Sequence, residues 1–345
     1  MTFDAPTSFD DPSSAAVAAR VSDGPDRSGT RGPADRTPLG ERRRQAPDKA
    51  PPPWWVDSIP FLIMHAIAIG GLFTVEWTWG ALALVLVTYY ARMFGITAGF
   101  HRYFSHRAFK TGRVFQFILA YLGSMTAQRS VLWWSGHHVD HHKYSDTEKD
   151  IHSPKKGFWW SHMMWMLVRD YDETPEKQIR AFEKYPEIMW LHRYWLVAPI
   201  SLAVGLYLAG GWFALFWGFF FSTFLTWHGT FVINSLAHVW GKRRYATSDT
   251  SRNNLWLSLV TMGEGWHNNH HHYASTANQG FFWWEIDLSY AILKVLERFG
   301  VVWDLRTPPQ WVLEGRTKKD APVGSALVGY RPEADPEAPD AAPAA

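Results

Sequence analysis

What most limits this chain is where lysine and arginine are missing. None falls between Trp55 and Ala91, and none between Tyr194 and Lys242. Four apolar stretches fill or overlap these windows, at about 59–75, 78–98, 194–209 and 212–237. Each comes near the roughly 17 to 25 helical residues needed to cross a hydrocarbon core. The links around Glu76 and around Gly210 and Gly211 are short, so the spans pair into two hairpins. Basic residues precede the first span (Arg42, Arg43, Arg44), separate the second from the third, and follow the fourth. Positive residues stay on the cytoplasmic side, which places both termini and the long central segment there. The expected fold class is therefore all-α and integral to the membrane, with four transmembrane helices in two hairpins. A fifth stretch, Val114 to Ala127, is too short to span and reads as an interfacial or buried helix.

Residues 1–53 are rich in Pro, Asp, Arg, Ser and Ala without an apolar run, and are expected to be disordered. The first apolar stretch begins too late for a signal peptide. A single domain is expected over 54–306, followed by a disordered tail over 307–345 that ends in "RPEADPEAPDAAPAA". A net charge of +2 with no basic patch points away from nucleic acid. With no cysteine, the chain has no disulfide, thiol chemistry, Cys-ligated zinc or iron–sulfur cluster of its own. Redox chemistry here must pass through a histidine-bound metal or an outside electron source.

Only His65 and His228, of 16 histidines, sit well inside an expected span. The clusters "HRYFSH", "HHVDHH" and "HNNHHH", with the "HVW" that ends the fourth span, all fall on the cytoplasmic side. Two of them contain His-x-x-His-His, at His138, His141, His142 and at His267, His270, His271. On a helix, positions i, i+3 and i+4 share one face, so three imidazoles point together. His101 and His106 are spaced i, i+5, which a regular α-helix would splay apart; the helix is expected to end or deform there. Eight such histidines exceed what one transition-metal ion accepts, which implies two ions. Neutral imidazole suits Fe, Zn, Cu or Ni, and catalytic zinc needs only about three ligands. Iron is the better reading. The Glu-x-x-His pair of soluble di-iron bundles has one match here, Glu264 and His267, and no second.

The segments "GITAGFHRYFSH", "HVDHHKYSDTEKDIH", "KKGFWWSHMMWML", "NSLAHVWG" and "GEGWHNNHHHYA" together resemble the membrane delta-9 fatty acyl desaturases of the stearoyl-CoA type, in their bacterial branch. The likeness runs from roughly Pro53 to Leu305. It implies a cytoplasmic helical cap over the four spans, a histidine-ligated pair of iron ions, and O2-dependent insertion of a cis double bond into a saturated C16 to C18 chain. The ligands it implies are His101, His106, His138, His141, His142, His267, His270 and His271. It adds His238 as a ninth, with Asn234 reaching the metal through water.

By the same resemblance, Gln128, Trp134 and Thr230 bend the acyl chain beside the irons, and Met93 closes the far end of its tunnel. Lys155 and Lys156 match a basic pair that meets the phosphates of acyl-CoA. Gly136 and His137 depart from the Arg and Asp with which animal acyl-CoA enzymes contact the nucleotide, so an acyl-lipid carrier stands as the alternative to acyl-CoA. His137, His272, His152 and His162 read as supporting or surface residues; His65, His192 and His228 have no assigned role. A separate electron donor on the cytoplasmic face, a ferredoxin, a rubredoxin or a reductase, is implied. A membrane hydroxylase is the related alternative reading. A metal transporter is the remote one, because transport would put ligands near the bilayer midplane.

Overall fold

A computed structural model describes residues 54–168 and 171–316. The expected N-terminal tail and most of the C-terminal one lie outside the described residues. The chain is mostly helical, and two of its helical runs, Trp79–Ser105 and Val197–Val239, are long and apolar enough to cross a membrane. The first apolar helix, Trp54–Gly71, starts earlier than its expected span and carries Pro60 within it. Proline has no N–H to return to the carbonyl four residues back, so the ladder is interrupted at Val56.

The helix Trp79–Phe94 is capped by Thr78, whose hydroxyl accepts from the Ala81 N–H at 3.0 Å. It continues without a break as a π-helix, Gly95–Ser105. The run thus carries the first histidine box as part of its own backbone, well past the expected end at residue 98. The second long run leaves helical geometry at Gly210 and Gly211, the latter at φ +60°, where the expected link between the third and fourth spans lies. Past that corner it winds through a π-segment, Phe216–Phe221, and then Ser222–Asn234.

The short helix Arg113–Ser124 packs its buried face against the π-helix. Phe100, Phe104, Phe109, Leu119, Leu132, Phe182, Ile188 and Leu191 form the heart of the main core and are nearly or wholly buried. The second histidine box rides on Val131–Tyr144, whose N-cap Ser130 accepts from the Trp133 N–H at 3.2 Å. A two-stranded antiparallel ladder, Lys110–Thr111 with Val302–Trp303, ties the end of the first box to the late part of the chain. The fold does not stop at 306. Trp311 and Val312, on the helix Gln310–Leu313, are buried against Tyr245 and Phe281, so these residues of the expected tail belong to the folded part.

Candidate metal centre

The i, i+5 pair meets because of the π-helix. His106 N–H donates to the His101 carbonyl at 3.2 Å, one turn of i→i+5 bonding, and the two rings sit 4.9 Å apart. The second box presents His138, His141 and His142 from one helix. The third box, His267–His272, is a helix too short to hold itself, and its two asparagines anchor it. Asn268 Oδ1 accepts from the Arg244 and Tyr245 N–H groups at 2.8 and 2.7 Å, while Asn269 Nδ2 donates to Glu285 Oε2 at 2.9 Å. His238 arrives from the short turn Leu236–Val239 beyond the fourth apolar stretch.

These rings form two sets. His101, His106, His138, His142 and His270 bring five nitrogens within 4.8 Å of one another, and His141, His238, His267 and His271 bring four. The nine together are the nine histidines expected from the sequence. Within the first set the Nε2 atoms of His101 and His270 are 2.9 Å apart, His106 and His138 2.9 Å, His138 and His142 3.0 Å, and His142 and His270 2.8 Å. In the second, Nε2 of His238 and His267 are 3.1 Å apart.

Several of the opposite ring nitrogens face carboxylates. His101 Nδ1 is 2.6 Å from Glu264 Oε2, His141 Nδ1 3.1 Å from Asp150 Oδ1, and His271 Nδ1 2.9 Å from Asp249 Oδ2. His238 Nδ1 lies 3.1 Å from the Thr250 hydroxyl and 3.5 Å from Asp146 Oδ1. An ionised carboxylate only accepts, so these Nδ1 atoms carry the proton and leave Nε2 a bare lone pair turned inward. In each pair near 3 Å at most one tautomer is fixed in this way, so the contact is either an N–H···N hydrogen bond or, with both lone pairs inward, one that a cation between them relieves. That separation is also the one expected of neighbouring nitrogens each about 2.1 Å from a single metal ion. His271 Nε2 is buried with no hydrogen-bond partner, as a ligand atom awaiting a metal would be. The donor set fits two borderline transition-metal ions.

Burial, then repulsion among the rings, holds His106, His138, His142, His267 and His270 well below the ordinary imidazole range. Burial likewise lowers His271 to about 4. All six are neutral at neutral pH, the state in which imidazole ligates. Burial alone would raise the Asp150 and Asp249 carboxyls. The neighbouring imidazoles outweigh it and hold both well below the usual range.

The carboxylates were not found from the sequence. Asp146, Asp150 and Asp249 sit in polar loops that carry no periodicity. The spacing pairs Glu264 with His267 three residues on, yet Glu264 turns to His101 instead. Its other oxygen takes the buried Arg102, from Nε at 3.2 Å and Nη2 at 3.0 Å, and Arg102 Nη1 spans on to Asp287 at 2.9 Å. Gly263, at φ +118°, makes this possible, since a Cβ there would collide with Asp287 and Arg102.

Of the remaining expected residues, Gln128, Trp134, Thr230 and Asn234 line a cavity of about 680 Å³. Gln128 Nε2 donates to Thr230 Oγ1 at 3.1 Å. Trp134, His138, Thr230 and Asn234 also line a narrower slot that passes His101, His141 and His267 and includes Met93. Lys155 and Lys156 line neither space. Both are exposed, and Lys156 Nζ donates to the Glu148 and Asp150 carbonyls at 3.0 and 3.1 Å. His137 lines the cavity and bonds the Glu173 carbonyl at 3.1 Å, while His272 stacks on Tyr245 at 4.0 Å; neither joins a set. His152 packs against His141 beside Asp150, with ring centres 4.3 Å apart and planes tilted by 36°, and His192 Nδ1 is 2.6 Å from Ser130 Oγ.

Comparison with known proteins bears on this geometry. The family model described as fatty acid desaturase matches residues 77–303. The chain is 36% identical to an sn-2 palmitoyl-lipid 9-desaturase of Nostoc sp. (strain 36), over 76% of this chain and 93% of that one. It is 34% identical to delta-9 acyl-lipid desaturase 1 of Arabidopsis thaliana, over 80% and 92%. It is also 34% identical to an icosanoyl-CoA 5-desaturase of Limnanthes douglasii, over 74% and 72%.

Proposed function

This chain belongs to the fatty acid desaturase family, and on that premise we propose that it inserts a cis double bond at the delta-9 position of a saturated C16 to C18 acyl chain. It is an oxidoreductase. The observation that carries the finer reading is the pairing of two histidine sets with a mostly apolar slot that shares Trp134, His138, Thr230 and Asn234 with a large cavity. We assign the cofactor as two iron ions, one held by His101, His106, His138, His142 and His270. His141, His238, His267 and His271 would hold the other, with Asn234 approaching through water. Once bound, the irons supply what no side chain can, an oxidant made from O2 that is strong enough to take hydrogen from unactivated methylenes.

The protein's own part is placement. Glu264, Asp150 and Asp249 fix the tautomer and plane of three ligating rings. Gln128, Trp134 and Thr230 shape the cavity where it reaches the histidines, and so set which carbon pair lies beside the metals. Met93, 1% exposed, closes the slot and limits chain length. Four crossings in two hairpins, under a cytoplasmic cap, suit the break at Gly210–Gly211 and the placing of basic residues, with the domain running from about 54 past 306. Electrons come from a separate ferredoxin, rubredoxin or reductase at the cytoplasmic face.

Both acyl-lipid and acyl-CoA enzymes occur among the relatives. Two features of this chain favour a lipid-bound substrate. Lys155 and Lys156 lie off the cavity, and a Cβ on Gly136 would stand 2.8 Å from Pro175 Cδ, so no longer side chain fits there without a shift. Expression in a host without endogenous desaturation, followed by gas chromatography and mass spectrometry of its fatty acids, tests the reaction. A delta-9 monoene is expected. Hydroxy acids without monoenes would overturn it in favour of hydroxylation.

A further inference from the structure

The large cavity opens where the first apolar helix and the head of the third come near each other. Val56, Pro60, Phe61 and Met64 line it on one side, and Trp195 and Leu196 on the other. Pro60 and Leu196 are exposed, so this wall of the cavity reaches the surface between the two helices.

The other edge of the first helix is fastened. Phe61 stacks on Trp227, with ring centres 5.2 Å apart and planes 12° from parallel. One turn further on, His65 Nε2 lies 3.2 Å from His228 Nε2, His228 Nδ1 lies 2.9 Å from His162 Nε2, and His162 Nδ1 lies 2.9 Å from Ser235 Oγ. His65 Nδ1–H donates to the Phe61 carbonyl at 2.8 Å. That bond sets the tautomers in turn, because each neutral ring has one donor and one acceptor. His65 Nε2 accepts from His228 and His228 Nδ1 accepts from His162, while the Ser235 hydroxyl beside His162 Nδ1 has one proton for that nitrogen and for the Phe231 carbonyl at 3.0 Å. Every nitrogen of the three rings is used, and three distant parts of the chain are latched together. Near the helix end, Gly71 presses so closely on the Phe216 ring that a Cβ would collide with it. The edge that carries Pro60 and Met64 is left facing Leu196.

Among the described residues that line the cavity, Arg129 Nη2 pairs with Asp172 Oδ1 at 2.5 Å, with the guanidinium 5.1 Å over the Trp133 ring. This pair is electrically neutral, which suits ester carbonyls and a headgroup better than a cluster of phosphates. A glycerolipid has a second chain, and an opening reached only from water would require both chains to leave the bilayer, exposing every methylene. A side opening lets one chain slip in while the other stays in lipid.

We propose that the substrate is a bilayer glycerolipid whose acyl chain enters sideways between Pro60–Met64 and Leu196, with its headgroup region at the Arg129–Asp172 pair. The His65–His228–His162 latch keeps the first helix closed against the fourth, so that this is the side that opens. The proposal rests on the desaturase reading with a lipid-bound substrate and adds the route.

Because the natural chain has no cysteine, Met64→Cys and Leu196→Cys can be introduced together in the full-length protein without competing thiols. Spheroplasts of a desaturase-free host are treated with a reducible bifunctional thiol reagent, then pulsed with labelled palmitate. Labelled monoene is followed separately in glycerolipid and in acyl-CoA. Bridging the two cysteines is expected to lower monoene formation at least about tenfold relative to the same protein after reduction, with label reaching glycerolipid monoene first. Leu196→Trp, which narrows the slot without chemistry, is expected to act in the same direction. First appearance of labelled monoene in acyl-CoA overturns the proposal, as does full activity of the bridged protein. Absence of any monoene from the unbridged protein would instead sink the desaturase reading itself.

Discussion

Two groups of histidines in this molecule are built from the same side chain and do opposite things with it. In the nine-membered group, Nε2 atoms converge to within 2.8 to 3.1 Å while Nδ1 atoms of His101, His141 and His271 are held from behind by carboxylates. In the chain of His65, His228 and His162, each nitrogen meets one partner and nothing converges. Histidine number therefore does not make a metal site. What distinguishes this one is convergence of the inner nitrogens, with the outer nitrogens of His101, His141, His238 and His271 met by acceptors and those of His267 and His270 buried without a hydrogen-bond partner.

The sharpest way to break this distinction is to remove one ring from each group. His270 touches both His101 and His142 within the set of five, and it is fully buried. His270→Ala is expected to lower monoene formation at least about a hundredfold, more than loss of an outer-shell partner does, and to lower iron content measured by mass spectrometry. His228→Ala should retain its iron. It loses hydrogen bonds worth about 1 kcal/mol each, and is expected to lower thermal stability in detergent. Equal iron loss in both variants would show that the two groups are not distinct.

A smaller effect is expected one bond further out. Glu264→Gln keeps the shape and removes the charge that orients His101, and an amide can present its NH2 where an acceptor is needed. A loss of about 10 to 100-fold in activity or metal affinity is expected, checked by metal titration of the purified protein. Arg102 keeps Asp287 as its partner, so the fold should survive. If Glu264→Gln bound metal and turned over like the parent, the carboxylate would be packing rather than positioning.

Much of this centre was legible in the sequence because helical spacing is short-range. His-x-x-His-His at 138–142 and 267–271 needs only the i, i+3, i+4 rule to show a common face. His101 and His106 showed a conflict with that rule, and the π-helix is how the chain resolves it. The carboxylates could not be read in the same way. Asp249 reaches His271 across 22 positions and Glu264 reaches His101 across more than 160, and neither lies on a repeating face. His65 and His228, 163 positions apart, are joined only by how two apolar helices happen to pack, which no local pattern encodes. The apolar windows announced membrane-length helices but not their ends. Pro60 and the π-segments are tolerated inside them, because neighbouring helices can supply the packing and bonds that a regular ladder would have supplied.

Met93 offers a milder test, since it concerns selectivity and leaves the metal untouched. Its side chain is buried beside Gly229, where a Cβ would come within 3.0 Å of the Met93 Cε. Met93→Ala enlarges the slot there by about three heavy atoms. Each extra methylene accommodated there is worth about 0.8 kcal/mol, roughly fourfold in preference. The product profile is expected to move several-fold toward longer monoenes when the host is fed a mixture of saturated acids. An unchanged profile would place the end of the tunnel elsewhere.

The smallest expected effect lies beside one of the largest. His137 and His138 are neighbours on one helix, roughly 100° apart around its axis, and that rotation separates a cavity wall from a metal. His137 Nε2 is engaged by the Glu173 carbonyl, its ring packs on Trp133 at 4.7 Å, and burial lowers its pKa, so it stands neutral and outside both sets. His137→Ala should keep both irons and change total monoene formation less than about threefold, within the range of one lost neutral hydrogen bond. His138→Ala removes a nitrogen that lies 2.9 and 3.0 Å from two others and should behave like His270→Ala. Iron loss in His137→Ala with retention in His138→Ala would mean that His137 rather than His138 faces the metal, and the assignment of all three box-two ligands would shift with it.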